Sequence, residues 1–354
     1  MNVEKRIIAF AALGKILKGI GEKGQGTDQL SVAIDNARKH NRWFTEDTIL
    51  LAMNSLGEML EEGKLRKWMD TYPEAQSQKA KKGSVGVVMA GNVPLVGFHD
   101  FLCVLMCGRA FVGKLSSDDK FLLPAVAEIL IQIEPAFKPL ILFTDQPFNK
   151  PTNISAFIAT GSNNSARYFE YYFSKYPHII RKNRNAVAVL DGTESEADLK
   201  NLGKDIFQYF GLGCRNVSKI FIPQDYNLDK LFSALVDFGD IIHHNKYANN
   251  YNYYRTIYLL NTEKFLDNNF LLVKECEQIA SPVATLYYER YERKVELIKR
   301  IEENRESIQC IIASPLAPLQ RERGMSCIEF GKSQSPELWD YADGVDTMKF
   351  LMNL

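Results

Sequence analysis

The chain has 354 residues, 46% of them hydrophobic and 11% aromatic, which is enough for sizeable cores and sets an expectation of two or three domains. Its 43 basic and 43 acidic side chains cancel, so no overall positive field recruits nucleic acid or an anionic membrane, and neither partner is expected. Six cysteines spread along a long chain without secretory context argue for reduced thiols in a cytoplasm.

The opening stretch MNVEKRIIAFAALGKILKGIGEK looks superficially like a signal sequence, but Lys15 and Lys18 interrupt it and no small-residue cleavage site follows. Val3, Ile7, Phe10, Leu13, Leu17 and Ile20 recur at helical spacing, so an amphipathic helix is predicted. No apolar run reaches the ~18 to 20 residues of a membrane span, and a soluble protein without stable membrane insertion is expected. Two helical stretches follow. TDQLSVAIDNARKHN has Thr27-Asp28 as its cap, and TEDTILLAMNSLGEMLEEGKLRKWM has Thr45 ahead of acidic residues. KAKKG at 79–83 reads as a solvated linker, or else as a short phosphate contact.

From Gly83 the texture changes to strands alternating with helices: SVGVVMA, VGFHDFLCVLMCGRA, AFVGKL, DKFLLPAVAEILIQI, LILFT, AFIATG and NSARYFEYYFSKY. Such alternation implies parallel strands joined by right-handed crossovers, a doubly wound layout. Cys103 and Cys107, four apart, face alike on an apolar helix, and core packing rather than zinc is expected of them. A second α/β unit begins with AVAVL at 186–190 and a helix to about residue 210. VSKIFI at 217–222, a helix from about Leu228 to Asp240, and RTIYLL at 255–260 as a further strand continue it. PVATLYY, the charged helix RYERKVELIKRIEENR and IQCIIAS complete it. HHNKYANNYNYYR at 243–255 is predicted to be a surface loop, with His243 and His244 solvated rather than an acid–base or metal pair.

Candidate chemistry falls at strand ends. In GNVP at 91–94, Asn92 is either a turn residue satisfying local backbone or an amide offered at the sheet edge where open α/β folds bind ligands. AFVGKLSSDD ends a strand at Lys114, which can hold ribose hydroxyls or a phosphate. Ser116, Ser117 and two aspartates then open a helix that either receives an anion or is simply capped. FIATGSNNSARYF repeats the arrangement with Thr160, Gly161 and Ser162. Together these stretches suggest a cofactor crevice, although no GxGxxG fingerprint is present. Cys214, in QYFGLGCRNVSKIFIP, lies at a helix-to-strand junction after two glycines and before Arg215-Asn216. Backbone N–H groups and Arg215 would favour a thiolate nucleophile there; the alternative is an unreactive junction cysteine.

Taken in order, these stretches resemble the aldehyde dehydrogenase superfamily, and within it the LuxC-type fatty acyl-CoA reductases, from about Gly83 to the C-terminus. GNVPLVGFHDFLCVLMCGRAFVGKLSSDD is similar to the region "WNFP…aGN..vlKPSe", which implies Asn92 as an oxyanion-hole amide and Lys114 and Ser116 as cofactor contacts. FIATGSNNSARYF resembles the "FTGS" segment, which implies Thr160, Gly161 and Ser162 near the cofactor pyrophosphate. FGLGCRNVSKIFIP resembles "GQ.C.a..rv.V" and implies Cys214 as the nucleophile. EQIASPVATLYY looks like "EeiFGPVl.v..y", with Gln278 where the family's ribose-holding Glu stands. GKSQSPELWDYADGVDTMKFL is similar to the C-terminal strand region. The general-base Glu of hydrolytic members has no counterpart in HIIRKNRNAVAVLDG, where Ile180 falls at about its place.

The resemblance implies an aldehyde dehydrogenase-like α/β fold of two doubly wound domains with a crevice between them, preceded by a helical segment. The expected division is 1–82 helical, associated with the cofactor domain; 83–180 NAD(P)-binding; 181–340 catalytic; and 341–354 a C-terminal strand. The implied activity is reduction of an acyl-CoA to a fatty aldehyde through an acyl-enzyme on Cys214, with hydride from NADPH, NADH being the other candidate. A carrier-protein thioester or acyl phosphate as donor, or a catalytically silent dinucleotide-binding scaffold, are the alternatives. The chain is shorter than typical members, and homo-oligomerisation stays an open expectation.

Overall fold

A computed structural model describes residues 1–23, 28–76, 83–148, 153–314 and 327–354. They divide into two compact units, Met1–Lys182 with Pro336–Leu354, and Asn183–Ser335. Thr27 and all but Gly83 of KAKKG lie outside the described residues.

The first unit opens with α1 (Val3–Lys23), α2 (Asp28–His40), α3 (Glu46–Met59) and α4 (Glu62–Asp70). Ile7, Phe10, Leu13, Leu17 and Ile20 form the buried stripe of α1 that their spacing predicts. Among the described residues, no helix is long and apolar enough to cross a membrane. Thr45 starts α3 as expected: its side chain accepts from the Thr48 amide at 3.2 Å, and Glu46 and Asp47 favour the positive end of the helix dipole.

Strands and helices then alternate: β1 (Ser84–Val88), α5 (Phe98–Met106), β2 (Ala110–Lys114), α6 (Leu122–Ile133), β3 (Ile141–Thr144), β4 (Ile154–Thr160), α7 (Asn163–Phe173) and β5 (His178–Arg181). Among the described residues they make one parallel sheet in the order β3-β2-β1-β4-β5. β1 sits in the middle and is buried on both faces, which is why it reads as an uninterrupted apolar run. Strand order reverses between β1 and β4. The loops leaving these two strands therefore flank the switch point at the carboxyl edge, where such sheets take ligands.

The segment 341–354 differs from the expected strand. Thr347–Met352 is a helix, started by the Asp346 carboxylate accepting from the Lys349 amide at 2.8 Å, with Met348 and Leu351 buried on one face. Helical spacing of two apolar anchors behind a good cap outweighs a short extended pattern. Two buried arginines fasten this segment. Arg109 donates from Nε to the Leu351 carbonyl at 3.0 Å. Arg181 pairs with Asp100 of α5 at 2.5 Å and donates to the Thr347 hydroxyl at 2.9 Å.

The second unit comprises β6 (Asn185–Val189), α8 (Glu196–Phe207), β7 (Val217–Pro223), α9 (Leu228–Leu235), α10 (Asn245–Leu260), β8 (Leu266–Asp267), β9 (Leu272–Glu275), β10 (Thr285–Tyr291), α11 (Lys294–Glu303), β11 (Ile308–Ala313) and β12 (Cys327–Ile328). Among the described residues the sheet order is β12-β11-β6-β7-β10-β9-β8, parallel except for the β8–β9 edge. Residues 243–260 correct two expectations, the loop and the strand RTIYLL, because both fall in or just before α10. Tyr247, Tyr251 and Tyr258 bury one helical face, and the first two hydroxyls donate to the Phe270 carbonyl at 3.1 Å and Asp267 Oδ1 at 2.6 Å. His244 is no idle loop residue, since its side chain caps α10 by accepting from the Tyr247 amide.

The Arg181–Asp100 pair gives a direct prediction. Removing one member of a buried pair strands the other and costs about 3 to 5 kcal/mol. We expect Arg181→Met to lose about that much in urea unfolding and Arg181→Met/Asp100→Leu to regain most of it. The chain's tryptophans, Trp43, Trp68 and Trp339, all lie in the first unit, with this pair, and make fluorescence its reporter. A loss below about 1 kcal/mol in the single variant would place the pair among ordinary surface contacts.

Candidate active site

In the first unit, the loop after β1 carries Asn92, which is exposed. Its base is tied to β2 by the Met89 amide, which donates to the Lys114 carbonyl at 3.2 Å. Gly91 presses on the next loop so closely that a Cβ there would sit 2.5 Å from Ser116 Oγ and 3.0 Å from the Asp119 nitrogen. Only glycine fits. Farther along, Leu95 takes a left-handed φ of 59°, and its amide donates to Asp119 Oδ2 at 2.9 Å.

Asp119 thus latches the Asn92 loop to the loop after β2. The expected cap of Ser-Ser-Asp-Asp on α6 takes a different form: the helix begins only at Leu122, Ser116 Oγ accepts from the Asp118 amide at 3.2 Å, and Asp119 turns to Leu95. Burial pushes the Asp119 carboxyl up to about 6, against the Leu95 and Leu122 amides, which favour its ionised form. From the other side α2 holds the same loop: the His40 imidazole donates to the Ser117 carbonyl at 2.6 Å, and Asn41 Nδ2 donates to that of Asp118 at 3.4 Å.

At the end of β4 the chain turns through Thr160-Gly161-Ser162 into α7. Ser162 is the N-cap, its hydroxyl accepting from the Ser165 amide at 3.2 Å. The Gly161 amide donates to the Arg181 carbonyl at 3.2 Å, and a Cβ on Gly161 would lie 2.9 Å from the Phe169 ring. Asn92, the half-buried Lys114 and Ser116, and Thr160 to Ser162 are accordingly gathered at one edge of one sheet. Cys214 and Gln278 belong to the second unit.

There, α8 ends at Phe207 and the chain passes through three left-handed residues, Tyr209 (φ 51°), Phe210 (φ 58°) and Gly211 (φ 75°). The first two cost about 1 to 2 kcal/mol each. A turn then presents Cys214, which is exposed, and the Asn216 amide closes it onto the Gly213 carbonyl at 3.0 Å. Asn216 is only 1% exposed. Its Oδ1 accepts from the Gly213 amide at 2.8 Å, and its Nδ2 donates to the carbonyls of Asp205 at 3.0 Å and Gln208 at 2.8 Å, with that of Ile206 at 3.4 Å. Those are carbonyls at the end of α8 that have no helical partner ahead of them. The buried Asp205 carboxylate accepts from the Gly331 and Ser333 amides at 2.6 and 3.0 Å, and Arg215 Nη1 donates to the Ser333 carbonyl at 3.5 Å.

Gln278 is exposed in the segment after β9. The carbonyls on either side of it are both held by β7: Lys219 Nζ donates to that of Glu277 at 2.7 Å, and Ser218 Oγ to that of Ile279 at 2.7 Å. Lys219 is buried, pairs with Glu289, and shares it with Arg300, whose Nη1 lies 2.6 Å away. The Cys214 turn is thus held by Asn216, just before β7, and the Gln278 segment by Ser218 and Lys219 near the start of that strand. Asn216, Asp119, Asp205, Ser218 and Lys219 all escape a sequence reading centred on candidate chemistry. Asn216 left the clearest signal, an asparagine between a glycine-rich turn and a strand.

These two units have the α/β fold of aldehyde dehydrogenases. Aldehyde dehydrogenase 21 from Physcomitrella patens, solved with the reaction product succinate, matches with a TM-score of 0.68 at 14% identity, over 100% of this chain and 84% of that one. The NAD-dependent aldehyde dehydrogenase from Sinorhizobium meliloti gives 0.66 at 10%, over 92% and 74%. The Bacillus cereus aldehyde dehydrogenase, solved as its NAD+ complex, gives 0.63 at 11%, over 93% and 76%. Within that fold, residues 25–232 match the family model of the LuxC acyl-CoA reductases, and the chain belongs to that family. It is thereby an oxidoreductase of the aldehyde dehydrogenase kind. No curated protein matches it.

Asp119 makes the Asn92 loop sensitive to pH. A carboxyl raised to about 6 in the folded chain and near its ordinary 3.8 in the unfolded one stabilises the fold fully below about pH 4. That stabilisation is lost as pH rises through 6. Asp119→Asn stays neutral and keeps an oxygen for the Leu95 amide, so between pH 4 and 7 we expect it to gain up to about 3 kcal/mol over the parent in tryptophan-monitored unfolding. Parallel pH profiles for the two proteins would rule out a raised Asp119 carboxyl.

Proposed function

We propose that this chain is an NAD(P)H-dependent acyl-CoA reductase that releases a fatty aldehyde from an acyl-enzyme on Cys214, with NADPH as the expected reductant. The observation that carries this reading is Cys214 itself, an exposed thiol in a turn whose backbone is fixed by a buried asparagine, in a chain of the acyl-CoA reductase family.

The Cys214 thiolate attacks the thioester carbonyl carbon, forming a C–S bond. The resemblance assigns the resulting oxyanion to the Asn92 amide, a contribution of about 3 to 4 kcal/mol for one good donor. The C–S bond to CoA then breaks, and CoA leaves as a thiolate that takes a proton from water. Lys114, Ser116 and the Thr160-Gly161-Ser162 turn at the amide end of α7 fit a dinucleotide by their chemistry: a lysine at a strand end, a glycine with no room for a side chain, and helix amides suited to phosphate. Gln278 is assigned to the ribose. A reduced nicotinamide held there would supply a hydride to the acyl carbon, leaving the oxidised cofactor and a thiohemiacetal oxyanion assigned to the Asn92 amide. Breaking the remaining C–S bond returns its electron pair to Cys214 and frees the aldehyde. By the resemblance, Ile180 falls at about the place of the family's general base, and its strand His178–Arg181 offers no carboxylate to activate water. Hydride therefore outcompetes hydrolysis at the thioester.

Incubation with a long-chain acyl-CoA and no reductant should add one acyl mass to Cys214, and Cys214→Ala should lose both the adduct and at least about a thousandfold in NADPH-oxidation rate. A folded parent protein that forms no adduct with acyl-CoA, acyl carrier protein thioester or acyl phosphate would end this reading, and the donor giving the fastest adduct identifies the substrate class.

A further inference from the structure

We infer that Asn216 is the positioning residue for Cys214, acting as a buckle between the end of α8 and the turn that carries the thiol; this inference rests on the role proposed for Cys214. The buckle spans the whole irregular stretch. Its carboxamide nitrogen takes carbonyls of Asp205 and Gln208, on the α8 side of the left-handed run 209–211, while its oxygen takes the Gly213 amide on the other side. Two residues later than the thiol, Asn216 also closes the Gly213–Asn216 turn through its own backbone amide. Cys214 thus stands inside a ring closed by one side chain.

A planar carboxamide meets both needs at once, a donor pair for carbonyls and an acceptor for an amide. Aspartate has the same shape and keeps the acceptor, but it offers the helix-end carbonyls an oxygen in place of the NH2. Alanine removes both. Either change leaves buried backbone groups unsatisfied, and the strained run before the turn has every reason to relax. Attack on a carbonyl needs sulfur placed to within a fraction of an ångström, so a shift of this turn acts on the chemical step. Binding of the acyl-CoA as such makes no demand on the turn.

The full-length chain carries the test. In Asn216→Asp and Asn216→Ala, single-turnover acylation of Cys214 by acyl-CoA should fall about a hundredfold per folded molecule, at near-unchanged half-saturation by acyl-CoA. Alkylation by iodoacetamide, which needs no fixed approach direction, should change by less than about threefold. Should the alanine variant not fold, the aspartate variant decides. Wild-type acylation rates in a folded variant would overturn the inference, as would acylation and alkylation falling together, the mark of general loosening. If the parent protein itself forms no adduct, the Cys214 mechanism fails and this inference with it. A variant acylated as fast as an active parent sinks the positioning role alone.

Discussion

A buried ion pair, Asp100 with Arg181, stands where the chain leaves its first unit, since Lys182 is that unit's last residue before the excursion into the second. The other arm of the guanidinium reaches the Thr347 hydroxyl, 166 positions on, in the segment that rejoins this unit from Pro336. Desolvating two charges is tolerable only because they face each other at 2.5 Å. In return, one side chain ties the end of β5, the first turn of α5 and the C-terminal helix to one another. Its consequence reaches the candidate site. By holding Asp100, it fixes the start of α5, and that start is one end of the loop that carries Asn92. Asp119, bonded to Leu95, fixes the middle of the same loop.

The second unit solves a similar problem by neutral hydrogen bonds. A helix that stops in the interior leaves carbonyls without partners, and α8 stops beside a turn that presents the exposed Cys214. Asn216 answers both conditions. The left-handed Tyr209 and Phe210 are held by their surroundings: Tyr209 is buried, and the Phe210 ring lies 4.2 Å from the imidazole of His244, which caps α10. Strain of this kind persists only where packing over-determines it.

How much of this was legible in the sequence follows from the range of the forces involved. Parallel strands buried on both faces announce themselves as apolar runs, and β1, β4, β6, β7 and β11 fall where those runs lie. Thr45, a cap that acts within three residues, was readable because its interaction is local. RTIYLL was misread because six residues can satisfy either period, while the helix it ends buries Tyr247, Tyr251 and Tyr258 at helical spacing over a longer stretch. The candidate site divides in the same way. Cys214 and the strand-end residues could be picked out by motif, but the side chains that hold them act across distance in sequence: Asp119 on Leu95, Asp205 on Gly331, Lys219 on Glu277. A local window reads Asp119 as a helix cap, because that is the commonest use of an aspartate there.

The thiols supply the last step. Of the six cysteines, all within the described residues, Cys214 is the exposed one, while Cys103 and Cys107 are buried in α5 and at its end. Burial pushes the Cys103 thiol well above its ordinary range and raises Cys327 as well, so neither yields thiolate readily near neutral pH. The burial that suppresses the Cys103 and Cys327 thiols belongs to the apolar packing that stabilises the two units. The exposed thiol, Cys214, stands instead in the turn between α8 and β7. For the nucleophile proposed above, this separation lets the core be apolar without blunting the site, and makes the geometry of the turn closed by Asn216 the variable on which the proposed chemistry would depend.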